Sequence, residues 1–329
     1  MIAACQRGVA ILGIGSYAPA RVMTNDEIAT LVDTSDAWIS QRTGIRERRL
    51  AADDEGTAQL GARAARAAIE DAGIDPAEID IIVAATASPD YYFPATASLI
   101  GTEIGAGKAA GYDLSAACTG FIYALAQGYA QIASGMADTV LVVGAEVFSR
   151  LLDWSDRSTC ILFGDGAGAV VLRRDVTLTG MLGFDLGADG EGAGLLSVPA
   201  AGNAPSKGEA PYVQMNGPEV YKFATHVVVE SAVRCLDAAG LAVADVDLFL
   251  PHQANQRIID HAARRLGIPE ERVFGNVAQY GNTSAASIPL ALDEAYRGGD
   301  VKSGDTILMV GFGGGLAWGS CVMEWTKER

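Results

Sequence analysis

At 329 residues with 50% hydrophobic side chains, the chain is long enough to bury a large core and carries no low-complexity tract. A formal net charge of −16 excludes a general nucleic-acid binder, because affinity for a phosphate backbone comes from neutralising it with Lys and Arg. No apolar run reaches the roughly 18 residues of a membrane-spanning helix, and the five cysteines (5, 118, 160, 235, 321) form no CxxC pair or metal spacing, so neither disulfides nor a bound metal is expected.

The N-terminus passes directly into a strand-like VAILGIG without the basic start and cleavage pattern of a signal peptide, which makes the cytoplasm the expected location. GIGSYA (13–18) and GDGAGA (164–169) are glycine-rich enough to suggest a dinucleotide phosphate loop. Neither context fits: Pro19 and the polar stretch up to Asn25 delay the first helix, and GDGAGA runs straight into the strand AVVLRR. Both read as tight turns.

IEDAGIDPAEIDIIVAA (69–85) reads as the end of an amphipathic helix at Ala72-Gly73, a turn, and a buried strand. The pattern returns in LDAAGLAVADVDLFLPH (236–252) at a fixed offset of 167, which carries Gly73 onto Gly240 and Asp80 onto Asp247. At the same offset ADTVLVVGA (137–145) lies over GDTILMVGF (304–312), so the chain contains itself twice. Continuous apolar strands alternating with helices imply sheets covered on both faces, hence two α/β halves, 1–173 and 174–329, with ligand groups gathered where they meet. Strand 138–143 is expected to end at Gly144, and strand 305–310 in the run Gly311, Gly313, Gly314, Gly315.

Cys118 follows small residues and precedes TGFIYALAQGYAQIASG, where Phe121, Leu125, Tyr129 and Ile132 mark a helical face. A thiol at a helix start is expected to have a lowered pKa, whereas free cysteine is also among the most buried residue types; the residues alone leave nucleophile and core residue both open. In FLPHQANQRIIDHAARRLG, His252 stands beyond a strand end before Asn255, a helix cap, and is a candidate base. His226 and His261 read as background core histidines. Asn282, in the turn YGNTS before an Ala-rich helix, enters the second half where Cys118 enters the first, so the repeat brings Cys118, His252 and Asn282 to one cleft. Arg257, Arg264 and Arg265 share a helical face opposite Ile258, Ile259, Ala262 and Leu266; with Lys222 they offer a basic dock for an acidic protein partner.

These residues carry a resemblance that runs essentially end to end, through TSDAWISQRTGIRERR (34–49), DLSAACTGFIYAL (113–125), DRSTCILFGDGAGAVVL (156–172), PHQANQRII (251–259), YGNTSAASIP (280–289) and GFGGGLAWG (311–319). The chain resembles the 3-oxoacyl-[acyl-carrier-protein] synthase III family, condensing enzymes that initiate type II fatty-acid synthesis. The resemblance implies the duplicated thiolase fold in a five-layered αβαβα arrangement, a homodimer, no cofactor, and acyl-CoA and malonyl-acyl carrier protein as substrates. It makes Cys118 the acylated nucleophile, His252 and Asn282 the pair that assists decarboxylation, and the backbone N–H groups of Cys118 and Gly314 the oxyanion hole. Trp38, Arg42 and Arg157 match residues that hold the nucleotide end of coenzyme A, Asn255 one near the pantetheine arm, and Phe93 the residue that reaches the neighbouring subunit's acyl pocket. The basic helix with Arg257, Arg264 and Arg265 is where the carrier protein is expected to dock, and Tyr91 and Tyr92 beside Phe93 suggest a short starter.

Thiolases carry a second cysteine where this chain has Phe312, and elongating ketosynthases a second histidine where it has Asn282, so both are disfavoured. Polyketide-priming enzymes and acyltransferases of the same family keep the same three groups and stay open. A non-catalytic acyl-carrier-binding protein would have no reason to retain all three beside GFGGG.

Overall fold

In the computed structural model, which describes residues 2–3, 8–175, 180–200 and 211–328, the apolar runs form two five-stranded sheets. The principal strands are β1 (Ile2–Ala3), β2 (Val9–Tyr17), β3 (Ile81–Ala85), β4 (Ala110–Leu114), β5 (Thr139–Glu146), β6 (Gly166–Arg174), β7 (Met181–Ala188), β8 (Leu248–Pro251), β9 (Thr306–Gly313) and β10 (Ala317–Glu324). The first sheet runs β2-β6-β5-β3-β4 and the second β1-β7-β10-β9-β8. β3 lies parallel to both β4 and β5, and β8 parallel to β9. One strand crosses over: β1 pairs antiparallel with β7 in the second sheet.

Every residue of β5 is buried, as a strand covered on both faces requires. The principal helices are α1 (Asp36–Thr43), α2 (Thr57–Ala72), α3 (Thr96–Ile104), α4 (Gly120–Ala133), α5 (Gly217–Ala239), α6 (Gln256–Leu266) and α7 (Ser287–Gly298). α2 and α3 pack on the outer face of the first sheet and α5 and α6 on that of the second. α4 and α7 fill the layer between the sheets, where Phe121, Leu125, Tyr129 and Ile132 are all buried. The result is the expected five-layered αβαβα order.

The 167-residue offset holds in local detail. Gly73 and Gly240 end their helices in the left-handed conformation, at φ 66° and 72°. Asp80 Oδ2 accepts the Thr139 N–H at 3.0 Å, and Asp247 Oδ2 accepts the Thr306 N–H at 2.9 Å, so each aspartate ties a turn to the same neighbouring strand. α4 and α7 are each entered through a one-turn 3₁₀ segment, Ala117–Thr119 and Ser284–Ala286. Ala117 and Ser284 have positive φ, 47° and 50°, at equivalent positions.

Two expectations are corrected. The glycines of GIGSYA and GDGAGA are chiefly strand residues, not tight turns: Gly13 and Gly15 lie in β2, Gly166 and Gly168 in β6. They are small because helices press on the sheet, and a Cβ on Gly13 would sit 2.2 Å from Ala68 O while one on Gly168 would sit 2.7 Å from Pro289. β5 also does not stop at Gly144 but runs to Glu146, and the added residues carry a buried carboxyl group into the centre of the molecule.

Candidate active site

Cys118 occupies the middle of the 3₁₀ turn leading into α4 and is 4% exposed. The backbone of β9 approaches it so closely that a Cβ on Gly313 would lie 2.8 Å from Cys118 N. Burial pushes the thiol up to about 12, with a side-chain hydrogen bond from Ser284 favouring the thiolate and the nearby Glu146 opposing it. The lowered pKa expected from a helix start is therefore overturned: desolvation of the charged form outweighs the helix end.

His252 follows β8 and is 1% exposed. Its Nδ1 lies 2.5 Å from Ser287 Oγ, the ring meets Phe312 edge-on at 5.3 Å between centroids, and Nε2 has no hydrogen-bond partner. A Ser287 hydroxyl donating to Nδ1 leaves the Nε2–H as a free donor. Burial pushes the imidazole down to about 3, so the ring is neutral at physiological pH. Asn282 Oδ1 accepts the Ser284 N–H at 2.9 Å, which commits the oxygen and leaves the Nδ2 donors for other partners. Its own backbone is clamped by the Asn282 N–H donating to Leu162 O at 2.8 Å and by the Gly164 N–H donating to Asn282 O at 3.0 Å.

A stability consequence follows for His252. The folded ring stays neutral while the unfolded chain protonates near the usual value of about 6.5, so the unfolded state binds the extra proton between the two values. Stability from this group is complete above about pH 6.5 and is lost as pH falls toward 3, by up to about 1.4 kcal/mol per pH unit. Urea unfolding is expected to show the wild type losing about 2 kcal/mol more than His252→Gln between pH 7 and pH 5. Equal losses would contradict it.

Two cavities converge on the thiol. One, of about 460 Å³, is lined by Cys118, Gly314, Tyr123, Phe148, Leu196, Val198 and Val213 among others. The other, of about 140 Å³, is lined by Cys118, His252, Asn282, Asn255, Phe312 and Tyr221 among others. Cys118, Phe163 and Leu196 belong to both, so the sulfur lies between a mostly apolar chamber and a chamber holding two neutral hydrogen-bond donors.

The remaining candidates fall into groups. Arg42 and Arg157 stack on Trp38, with Cζ 4.2 and 5.0 Å from its ring centroids, as a guanidinium-aromatic cluster at the surface. Asn255 caps α6 by accepting the Arg257 N–H at 2.9 Å, and its Nδ2 donates to Arg42 O at 3.2 Å, so one side chain links that cluster to the second cavity. Arg257, Arg264, Arg265 and Lys222 are exposed, and Arg257 Cζ lies 5.3 Å from the Tyr221 ring centroid at the cavity wall. Phe93 is 86% exposed beside the exposed Tyr91 and Tyr92, away from Cys118 in this single chain. His226 is exposed and His261 half-buried, so neither is the core residue expected; the apolar faces of α5 and α6 point elsewhere.

Sequence reasoning missed Glu146 and Ser284. Glu146 is fully buried and accepts the Ser284 Oγ–H at 2.9 Å. The signal was available in the repeat, where Glu146 falls opposite Gly313, but reading the strand as ending at Gly144 hid it.

A duplicated five-layer α/β molecule with a thiol at the start of a central helix has the architecture of a thiolase-fold condensing enzyme. Family models described as 3-oxoacyl-[acyl-carrier-protein (ACP)] synthase III and its C-terminal region match residues 112–190 and 236–325. The chain is 50% identical to the beta-ketoacyl-[acyl-carrier-protein] synthase III of Desulfitobacterium hafniense over 97% of its length and 98% of that protein. It superposes on the 3-oxoacyl-[acyl-carrier-protein] synthase III of Aquifex aeolicus with a TM-score of 0.92 at 45% identity, covering 97% of this chain and all of that one. The priming beta-ketosynthase of the R1128 polyketide pathway gives 0.93 at 40% identity, covering 100% of this chain and 99% of that chain. The chain belongs to the beta-ketoacyl-[acyl-carrier-protein] synthase III family.

Proposed function

We propose that this acyltransferase joins an acyl-CoA starter, acetyl-CoA or another short acyl-CoA, to malonyl-acyl carrier protein, the reaction that initiates fatty-acid synthesis. Cys118 sulfur attacks the starter thioester, the backbone N–H groups of Cys118 and Gly314 hold the tetrahedral oxyanion, and coenzyme A leaves. The malonyl thioester then loses carbon dioxide, and the resulting enolate attacks the acyl-cysteine to release 3-oxoacyl-carrier protein and free Cys118. His252 Nε2–H and Asn282 Nδ2–H donate to the enolate oxygen. Neutral donors suit this step, because a proton acceptor is not required when carbon dioxide leaves.

The observation that carries the reading is the junction of two cavities at Cys118, one mostly apolar and one with the His252 and Asn282 donors. Trp38, Arg42 and Arg157 are proposed to hold the nucleotide end of coenzyme A, with Asn255 along the pantetheine arm. Arg257, Arg264, Arg265 and Lys222 are proposed to dock the acidic carrier protein. The exposed Tyr91, Tyr92 and Phe93 are assigned to a homodimer contact, with Phe93 reaching the partner's acyl chamber. The proposal divides the halves at 1–173 and 174–329 and includes a cytoplasmic location and a reaction needing no cofactor. Among the described residues, no helix is long and apolar enough to cross a membrane.

Incubating the protein with a panel of acyl-CoA thioesters and then malonyl-acyl carrier protein is expected to give an acylated protein by intact mass, discharged as 3-oxoacyl-carrier product. An adduct that malonyl-carrier leaves in place would favour transfer to another acceptor. The likeness to the R1128 priming enzyme supports a second reading, polyketide priming, marked in the same assay by preferential discharge onto a polyketide-pathway carrier protein over a fatty-acid one.

A further inference from the structure

Arg48 is fully buried, and the reaction as described makes no use of it. It lies in the strand Glu47–Leu50, opposite Met23 of the strand Arg21–Thr24. Its side-chain hydrogen bonds run to neutral oxygens: one terminal nitrogen donates to Met23 O at 3.2 Å and Asn25 Oδ1 at 2.9 Å, the other to Ile161 O at 2.8 Å. Burial pushes the guanidinium down to about 10, so it stays charged at physiological pH. Taking a charge out of water is expensive and neutral acceptors offset only part of the cost, so a position that served packing alone would favour an apolar side chain.

The two nitrogens hold the supports of different parts of the site. Asn25, held by the first, donates from Nδ2 to Asp36 Oδ1 and to Ile45 O, both at 2.8 Å. Asp36 opens α1, the helix that carries Trp38 and Arg42, and Ile45 lies just past its end. Ile161, held by the second, follows the one-turn helix Arg157–Cys160, and the next carbonyl, Leu162 O, accepts the Asn282 N–H at 2.8 Å. The stem of Arg48 is wedged against the same turn: a Cβ on Gly164 would lie 2.9 Å from Arg48 Cβ, and one on Gly281 3.4 Å from it. A planar guanidinium with its donors in a fixed fork can bridge these supports, whereas an ammonium on a flexible stem is a single point charge.

We propose that Arg48 is a positioning residue that locks the Trp38, Arg42 and Arg157 cluster and the Asn282 turn into one rigid unit, so that a substrate held at one presents its thioester correctly at the other. This rests on the reading of that cluster as the nucleotide site. Fully buried, Arg48 acts through the residues it holds, and a misplacement of about 1 Å at a reacting centre can cost about 10²-fold in rate. Losing the bridge has two separable consequences. Nucleotide binding no longer places the starter thioester, and the Asn282 amide loses its fixed place beside the malonyl group.

The test compares acylation by acetyl-CoA with acylation by S-acetyl-pantetheine, which lacks the nucleotide, both read by intact mass, and adds carbon dioxide release from malonyl-acyl carrier protein. It uses the full chain as wild type, Arg48→Met, Arg48→Lys and Asn25→Ala. Arg48→Met is expected to raise KM for acetyl-CoA about 10-fold and to slow carbon dioxide release about 10-fold, while acylation by S-acetyl-pantetheine stays within about 2-fold of wild type. Asn25→Ala cuts the branch to α1 and should raise KM for acetyl-CoA with little effect on carbon dioxide release. Arg48→Lys keeps the charge without the fork and should reproduce the losses of Arg48→Met; recovery of both by lysine would mean that charge suffices and overturns the bridge. Unchanged values in Arg48→Met overturn it too, as does an equal fall in all three readouts, which is what general loss of structure predicts. Should Arg48→Met fail to fold by circular dichroism, Arg48→Lys decides alone: the unequal loss supports the bridge, and an equal loss or none overturns it. Wild type with the same KM for both acetyl donors sinks the nucleotide-site reading instead.

Discussion

Cys118→Ala is expected to abolish acyl transfer from acyl-CoA, lowering it by at least about 10⁴-fold, because among the described residues no second thiol lines the cavities. The other described cysteines, Cys160, Cys235 and Cys321, are buried and line neither chamber. The fold should survive, since the substitution removes one atom beside Gly313, where the backbones already touch. Loss of the malonyl carboxyl group depends on His252 and Asn282 in the proposed mechanism, so slow release of carbon dioxide from malonyl-carrier should persist in Cys118→Ala. Measuring acyl adduct and released carbon dioxide separately distinguishes the two half-reactions. An adduct of unchanged rate on Cys118→Ala would remove the cysteine from the mechanism.

The second large effect concerns stability and exploits the repeat. Gly144 and Gly311 are equivalent, and each lies against the 3₁₀ turn of the opposite half. A Cβ on Gly144 would sit 2.4 Å from Ala285 O, whereas one on Gly311 would meet nothing closer than 3.4 Å. Gly144→Ala must therefore push back the backbone that also carries Ser284 and Asn282, at about 3 kcal/mol of stability and with a matching loss of activity. Gly311→Ala is expected to change stability by less than about 1 kcal/mol. Parallel urea unfolding curves with equal midpoints for the two variants would contradict the packing argument.

Much of this arrangement was legible beforehand. Buried strands, helix-ending glycines and the 167-residue offset are local patterns, and they led to two α/β halves with Cys118, His252 and Asn282 brought to one cavity. Less legible were properties set by the third dimension. The ionisation of Cys118 depends on how much water reaches it, which helix position does not encode, and burial reversed the expected direction. The strand glycines at 13 and 168 look like turn residues until a helix is seen pressed against them. Glu146 escaped notice because a carboxylate carries no mark of burial in the sequence and the strand was expected to end two residues before it.

The twinned helix starts have a further meaning. At the repeat offset, Cys118 corresponds to Ala285, His252 to Ala85, Asn282 to Ser115 and Glu146 to Gly313. Each of these side chains has a smaller counterpart, and two of the counterparts meet at one glycine: a Cβ on Gly120 would lie 3.1 Å from Ala85 and 3.3 Å from Ala285. The Ala285 N–H is taken by Glu146, while the equivalent Cys118 N–H faces Gly313, which has no side chain to claim it. The repeat supplies the frame, and its erasure at four positions makes the two halves unequal: one member of each pair has been whittled down where the other keeps a side chain able to bond or react.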